Sequence, residues 1–256
     1  MCAEKRLGLI GGELGYRLLR EISPTGPSGM GGGAYKGKSK LEVLLGREVW
    51  THTANKVVID FGCGAGSEAI ELAQRGSRIV YGLDISDKWL TVARQNAQKS
   101  HCDNVVFGST VPDTADVIIS IDAFEHFGDP GAILREMAKM LKPDGRALVS
   151  FGPTWYHPLG GHLFSVFPWA HVIFTETALC RWRSHIRSDG ARKFSEVEGG
   201  LNQMTIGRFE RLVGDSPFRI ESLEAVPIRK TKWLHNRITR ELLTAIVRCK
   251  LRKKAS

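Results

Sequence analysis

VVIDFGCGAGSEAIELAQRGSRIVYGLDIS, residues 57–86, is the stretch on which the fold turns. An apolar, β-branched run leads into a turn, Gly62-Cys63-Gly64-Ala65-Gly66, then a helix-period stretch, then a second apolar run closed by Asp84. Strand, glycine turn, helix and strand in that order form the nucleotide-binding unit of several α/β folds. The turn residues discriminate among ligands. A P-loop places Gly-Lys-Ser/Thr at the helix start, where the lysine neutralises phosphate charge. Here the helix starts Gly66-Ser67-Glu68, which argues against ATP. A dinucleotide turn reads G-x-G-x-x-G after an apolar strand end. This one runs G-x-G-x-G, with Ser67 where the third glycine would fall and Asp60 in the strand end. An acid beside a helix N-terminus suits a ligand that carries its own positive charge and is poorly placed beside a pyrophosphate.

Working outward, short β-rich runs alternate with helical spacing. Strands are expected at 56–61, 77–84, 104–109, 115–121 and 145–151, with helices at 66–76, 86–100 and 129–141 and a turn at KPDG, 142–145. That rhythm predicts parallel βαβ units in a doubly wound sheet. It stops between Gly152 and Gly200 and resumes with a helix at 205–213 and strands at 218–226 and 243–251. Two late strands with no full helix between them predict a terminal antiparallel pair. The fold class is therefore α/β: a Rossmann-like doubly wound sheet of about seven strands, mostly parallel, with helices on both faces. Four regions follow: an N-terminal helical and Gly-rich cap (1–54), a ligand-binding core (55–152), an aromatic-rich insertion (153–204), and the completion of the sheet with a basic C-terminal segment (205–256). The cap has helical spacing at Leu7, Ile10, Leu14 and Leu18, broken at Gly11-Gly12, then a Gly/Pro/Ser-rich segment at 23–40 and a short amphipathic helix at 40–50. Within it GMGGGAYKGK (29–38), with Tyr35, reads either as a flap over a ligand or as a linker.

S-adenosylmethionine fits the turn's chemistry: it brings an ammonium, a carboxylate and a sulfonium, and no phosphate. Its carboxylate suits the helix N-terminus. Asp60 can hold the ammonium or order water around it, and Asp84 can accept from both ribose hydroxyls. At these residues the sequence resembles the class I S-adenosylmethionine-dependent methyltransferases. Asp60 to Gly66 match their glycine-rich motif and Asp84 their ribose acid. ADVIISIDAFEHFGDP (115–130) matches the fourth-strand motif, and MLKPDGRALVSF (140–151) the helix, turn and strand that follow. The match covers roughly 55–152, and its motif order looks like the branch acting on small molecules and lipids. The resemblance implies donor contacts from Asp60, Gly62, Cys63, Gly64, Gly66, Asp84, Ile85, Asp122 and Ala123. One departure is that the acid the family often uses for adenine is missing after the third strand. Ser109 and Thr110 come first there, with Asp113 further on, so adenine contacts are expected from backbone and hydroxyl groups at Ser109 and Thr110.

Methyl transfer needs nucleophile, methyl and sulfur aligned in a site shielded from water. A base helps where the nucleophile is a hydroxyl. His126, just past the fourth strand, is the leading base; the alternative is that Glu125 and His126 pin the following loop. The insertion concentrates Trp155, Tyr156, His157, His162, Phe164 and Trp169, which reads as a lid forming an apolar acceptor pocket. Two other readings are an interfacial membrane patch, as the related ubiquinone-pathway O-methyltransferases imply, and a dimer interface or satellite core. His157, His162 and His171 are separated by four and eight residues, unlike metal ligands on one helix, so no metal is expected.

The chain has 256 residues, 42% apolar and 25% charged, as in ordinary soluble globular proteins. No apolar run is long enough to span a bilayer. The first 20 residues carry charge through what would be a signal core. Five scattered cysteines make neither a disulfide framework nor a zinc set, so a cytoplasmic setting is expected, with peripheral membrane contact as a variant. The net charge of +9 sits in residues 229–256, where ten Lys and Arg face one acid, Glu241. A solvated tail is the plainest reading; nucleic acid and anionic lipid are the alternatives. Against a base methylase, the fourth strand is followed by Asp122-Ala123-Phe124 in place of Asn/Asp-Pro-Pro-Tyr/Phe. The expectation is thus an enzyme that methylates a small, largely apolar acceptor, most aptly at oxygen, leaving S-adenosylhomocysteine. The alternatives are a lipid or quinone acceptor at a membrane, a nucleic-acid acceptor, and a non-catalytic binder of the donor. No stable nucleic-acid partner is expected, and a homodimer is compatible.

Overall fold

The computed structural model describes residues 8–25, 37–111, 114–197 and 199–254. Tyr35, Asp113 and most of the GMGGGAYKGK loop lie outside the described residues. Seven strands form one sheet: β1 (Val57–Phe61), β2 (Ile79–Leu83), β3 (Val105–Gly108), β4 (Ala115–Ile121), β5 (Leu141–Phe151), β6 (Phe218–Pro227) and β7 (Thr244–Lys253). Their order is β3-β2-β1-β4-β5-β7-β6. The first five run parallel, while β7 is antiparallel to both β5 and β6. β1 opens with an apolar run, Val57-Val58-Ile59, all buried because both faces of the strand are covered, before Asp60. From β1 the chain winds outward to β3, then returns to place β4 on β1's other side. That reversal opens a crevice at the carboxyl ends of β1 and β4.

Ten helices are described: α1 (Gly12–Ile22), α2 (Lys40–Leu45), α3 (Val49–Thr53), α4 (Ser67–Gln74), α5 (Asp87–Lys99), α6 (Pro130–Met140), α7 (Ala170–Ile173), α8 (Glu176–Arg183), α9 (Ile206–Gly214) and α10 (Arg240–Leu243). Their starts are chemically marked. Ser86 caps α5, and Asp129, followed by Pro130, caps α6 through the Ala132 N–H at 2.9 Å. Both carboxylate oxygens of Glu241 accept from the first N–H groups of α9, Ile206 at 3.1 Å and Gly207 at 2.8 Å. One face of the sheet packs Phe124, Leu134, Met137, Phe209 and Phe218; the other packs Leu44, Leu72, Leu90 and Phe107. A third core, built from α1, α8 and the insertion, gathers Leu19, Trp155, Phe164, Phe174, Trp182 and Phe194.

Three details differ from expectation. Gly11-Gly12 begins α1 instead of interrupting it, with Gly12 at φ +60°. The 40–50 stretch is split into α2 and α3 at Gly46, whose φ of +86° ends the first. KPDG is drawn into β5: the strand starts at Leu141, and these residues fill a register shift opposite Ala115 and Val117.

The basic C-terminal segment is not a solvated tail. Arg248, Lys250 and Arg252 lie in β7 and pair with Glu224, Glu48 and Glu221, and Arg240 pairs with Glu210. Lys253 and Lys254 donate to the carbonyls of Leu141 and of Gly214 and Ser216. Alternating β7 side chains serve the sheet, so their charge meets acids on neighbouring elements. Arg229, Lys230, Lys232 and Arg237 remain exposed on the connector from β6 to β7.

Candidate active site

The glycine turn lies at the carboxyl end of β1, where Gly62, Gly64 and Gly66 all have positive φ, +85°, +50° and +80°. Only glycine adopts such a series without strain. Gly66 also makes room: a Cβ there would come within 2.6 Å of Phe107, whereas one on Gly62 would meet Ala123 at an ordinary 3.4 Å. A Cβ on Gly64 would meet nothing within 4 Å, as expected for backbone bordering ligand space. Asp84 fixes the turn from β2. Its two carboxylate oxygens accept from the N–H groups of Gly64 and Ser86, both at 2.9 Å, and each keeps a lone pair for a further donor. Ile85 beside it is fully exposed, and Ser109 and Thr110 are exposed after β3. The Cys63 side chain is buried in the core, so Cys63 offers the site its backbone and not its thiol.

Asp60 is 2% exposed, and its Oδ2 has no hydrogen-bond partner. Burial, with the charges of Glu68 and Asp84 adding to it, pushes the Asp60 carboxyl up to about 8, against the pull of Lys40. Lys40, at the start of α2, bridges Asp122 at 3.2 Å and Glu68 at 3.5 Å. The lysine therefore joins three elements of the crevice: α2, the start of α4 and the loop after β4. Sequence reasoning missed it because the intervening chain gives no register. Asp122 sits at φ +48°, held by its N–H to Ser150 O at 3.0 Å, and burial raises its carboxyl. Ala123 is buried against the turn.

Beyond Asp122 the loop turns Glu125 and His126 inward. His126 Nδ1 donates to Gly200 O at 2.7 Å, and its ring stands edge-on to His162, with centroids 5.3 Å apart. Glu125 is 2% exposed, and its Oε1 accepts from Gly152 N at 3.3 Å and lies 4.0 Å from His162 Nε2. Burial, then the Asp122 charge, pushes Glu125 up to about 8, and burial holds His162 down at about 4. Asn202 ties the arrangement by donating to the carbonyls of Phe124 and Phe127 at 2.7 and 2.8 Å.

The insertion residues divide. His162 reaches the crevice. Tyr156 is half-buried, and its carbonyl accepts from the indole N–H of Trp169, itself 37% exposed. Trp155 and Phe164, at 2% and 1% exposure, fill the third core, Trp155 against His171 and Phe194, Phe164 against Phe194. His157 is buried too, and its Nδ1 accepts from Leu159 N at 2.9 Å; burial lowers it to about 4. The signal for both groups was the same, aromatic density, which does not distinguish a wall from a core. A separate cavity of about 440 Å³, lined by Asp116, Lys142 and Arg146, opens at the amino ends of the strands, away from the glycine turn.

Residues 52–154 match the family model for a methyltransferase domain, and the chain has the fold of class I S-adenosylmethionine-dependent methyltransferases. Two comparisons give the resemblance a direction. The ubiquinone biosynthesis O-methyltransferase of Neisseria meningitidis serogroup A is 34% identical over 103 residues, 37% of this chain and 43% of that protein. Its namesake in Aliivibrio fischeri is 35% identical over 118 residues, 43% of this chain and 49% of that one. The chain thus spans less than half the length of these relatives. Among solved structures, magnesium protoporphyrin IX methyltransferase from Synechocystis, with S-adenosylhomocysteine bound, aligns over 94% of this chain and 95% of its own with a TM-score of 0.51 at 18% identity. At that identity the likeness is one of fold.

Proposed function

We propose that the chain transfers a methyl group from S-adenosylmethionine to an oxygen of a small, largely apolar acceptor. The observation that carries this reading is the buried, half-satisfied Asp60 behind a glycine turn pinned by Asp84. That pair of acids suits a cationic amino-acid head followed by a ribose. The donor's carboxylate meets the N-terminus of α4 and its ammonium meets Asp60. The ribose hydroxyls donate to the remaining lone pairs of Asp84, and Ile85, Ser109 and Thr110 border the adenine. Gly62, Cys63, Gly64 and Gly66 contribute backbone, while Asp122 and Ala123 line the methionine end. The acceptor oxygen forms a bond to the methyl carbon as the carbon–sulfur bond breaks, its electron pair passing to sulfur. The acceptor's proton leaves near His126, whose Nε2 is the nitrogen not engaged by Gly200. The O-methyltransferase names of the sequence relatives support oxygen as the target.

The test is calorimetric titration with S-adenosylhomocysteine, then a methyl-acceptor screen of cell extract fractionated by polarity. Micromolar binding with methylation in the apolar fraction supports the reading; methylation confined to nucleic acid overturns it. The internal pairing of the β7 cations already weakens a nucleic-acid role. A membrane-surface acceptor is a second reading, favoured by the exposed Trp233 and Ile238 among Arg229, Lys230, Lys232 and Arg237. No described helix is long and apolar enough to cross a membrane. A homodimer is compatible with this reading, and light scattering on the purified chain reads it.

A further inference from the structure

Among the described residues one group of side chains has the composition and proximity of a metal site. Glu125, His126 and His162 place one ligand atom each within 4.8 Å of the others. The three come from two distant segments, the loop after β4 and the start of the short turn His162–Phe164 in the insertion. The tautomers are set by the backbone. A carbonyl only accepts, so His126 Nδ1 at 2.7 Å from Gly200 O and His162 Nδ1 at 3.0 Å from Gly160 O both carry their protons. Each ring therefore offers its Nε2 lone pair. This is the arrangement in which metal-ligating histidines are held, the second nitrogen anchored to a carbonyl. Facing them, Glu125 is 2% exposed, and its Oε2 is buried with no hydrogen-bond partner. Two ring lone pairs and a carboxyl group with an unpartnered oxygen thus lie together, an arrangement that a cation satisfies by taking the place of the proton that burial keeps on Glu125.

We propose that Glu125, His126 and His162 bind one divalent first-row cation, Zn²⁺ or a neighbour in that series. Imidazole with carboxylate favours such ions, whereas sites for Ca²⁺ and Mg²⁺ are built from oxygen. Three protein ligands leave a coordination position open. In the role that rests on the methyl-transfer reading, the open position takes the acceptor's hydroxyl and lowers its pKa. The bound hydroxyl releases its proton to water, its oxygen bonds to the methyl carbon, and the carbon–sulfur pair goes to sulfur. His126 is then a ligand and not the base. His162 gives the insertion a part in the chemistry that its buried aromatics do not have.

The experiment uses the full chain, freed of metal by chelation and titrated calorimetrically with Zn²⁺ or Mn²⁺ alone, and separately with S-adenosylhomocysteine. We expect one Zn²⁺ per chain with micromolar or tighter affinity. His162→Ala and Glu125→Gln should weaken it by about 100-fold or more, given that even indirect partners of metal ligands matter 10–100-fold. His185→Ala, remote from the cluster and bonded to Tyr16, should bind as the parent does. His162 is partly exposed, so His162→Ala carries the test if Glu125→Gln fails to fold; unchanged affinity for S-adenosylhomocysteine reports its integrity. Zn²⁺ binding weaker than about 1 mM, or equal binding by His162→Ala, overturns the site. Zn²⁺ binding without S-adenosylhomocysteine binding retains the site and removes the methyl-transfer reading. The reverse result removes the site alone.

Discussion

The glycine turn after β1 and the aromatic insertion after β5 reach order by opposite means. The turn is made by backbone: three positive-φ glycines, two carbonyl contacts to Leu83 at 2.9 Å, and one acid spanning Gly64 and Ser86. The insertion is made by side chains, and it is ordered only because α1 supplies the other half of its core. Leu19 packs with Trp155, Phe174 and Trp182, the Trp182 indole donates to Ser23 O at 2.8 Å, and Thr175 N donates to Ile10 O at 2.9 Å. A backbone-made site tolerates little change in position but depends on few distant residues. A side-chain-made core is the reverse. Substitutions can tell the two apart.

The largest effect is expected in the insertion. Trp182 is 1% exposed, and Trp182→Ala should cost about 3–5 kcal/mol in chemical denaturation, because removal of a buried indole leaves a cavity. Below the new melting temperature, affinity for S-adenosylhomocysteine should be unchanged. A matching loss of donor affinity would mean that the third core supports the turn, and the contrast would collapse. Next comes Gly66→Ala, at about 2–4 kcal/mol from the φ of +80° and the Phe107 clash together. Here donor binding should fall with stability, since the strained residue is the turn itself.

That contrast also explains what could be read in advance. Gly62, Gly64, Gly66, Asp60 and Asp84 announce themselves locally, within thirty residues of continuous pattern, and the alternation of strands that follows fixes the sheet. The insertion's aromatics announced burial without a direction. Trp155 and Phe164 went to a core whose other wall, α1, lies far off in sequence. His162 went instead to the crevice to meet Glu125 and His126, a convergence that spacing within the insertion could not reveal. Lys40 was hidden for the same reason: its register depends on a preceding segment rich in glycine. The charge count suffered a related error. Ten cations against one acid looks like a tail when read along the chain, yet β7 pairs Arg248 and Arg252 with acids of β6 across the ladder, and Lys250 with Glu48 beside α3.

Within the turn, Asp84→Ala should weaken S-adenosylhomocysteine by about 1–3 kcal/mol, the range for losing hydrogen bonds to a charged acceptor. Asp84→Asn, which keeps one acceptor oxygen, should fall between the two. Unchanged affinity in Asp84→Ala would remove the donor site from this end of the sheet. Asp60 adds a pH signature. Its folded-state value of about 8 lies above the unfolded 3.8, so the native protein holds a proton that the unfolded chain has lost. Its share of stability is present below about pH 4 and is lost as pH rises toward about 8. Lys40 opposes the trend; Glu68 and Asp84 reinforce it. Asp60→Asn should flatten the melting-temperature profile across that window. A donor bringing an ammonium stabilises the carboxylate, so its binding at pH 6 should release a proton, read from calorimetry in buffers of different ionisation enthalpy.

The smallest effect on stability is expected where neither kind of order is at work, on the connector between β6 and β7. Trp233 is 81% exposed and Ile238 89%, beside four cations with no ion-pair partner among the described residues. Trp233→Ala should change unfolding by less than about 0.5 kcal/mol, as surface substitutions do. So exposed an indole gives the fold little, and its surroundings suit an anionic bilayer surface, where an aromatic ring settles among headgroups and lysines meet lipid charge. Sedimentation with vesicles containing phosphatidylglycerol should carry the parent protein down, and Trp233→Ala should reduce the bound fraction several-fold. Neutral vesicles should retain neither. If both proteins stay in the supernatant with anionic vesicles at low salt, the membrane-surface acceptor is excluded, and the connector is an ordinary charged loop.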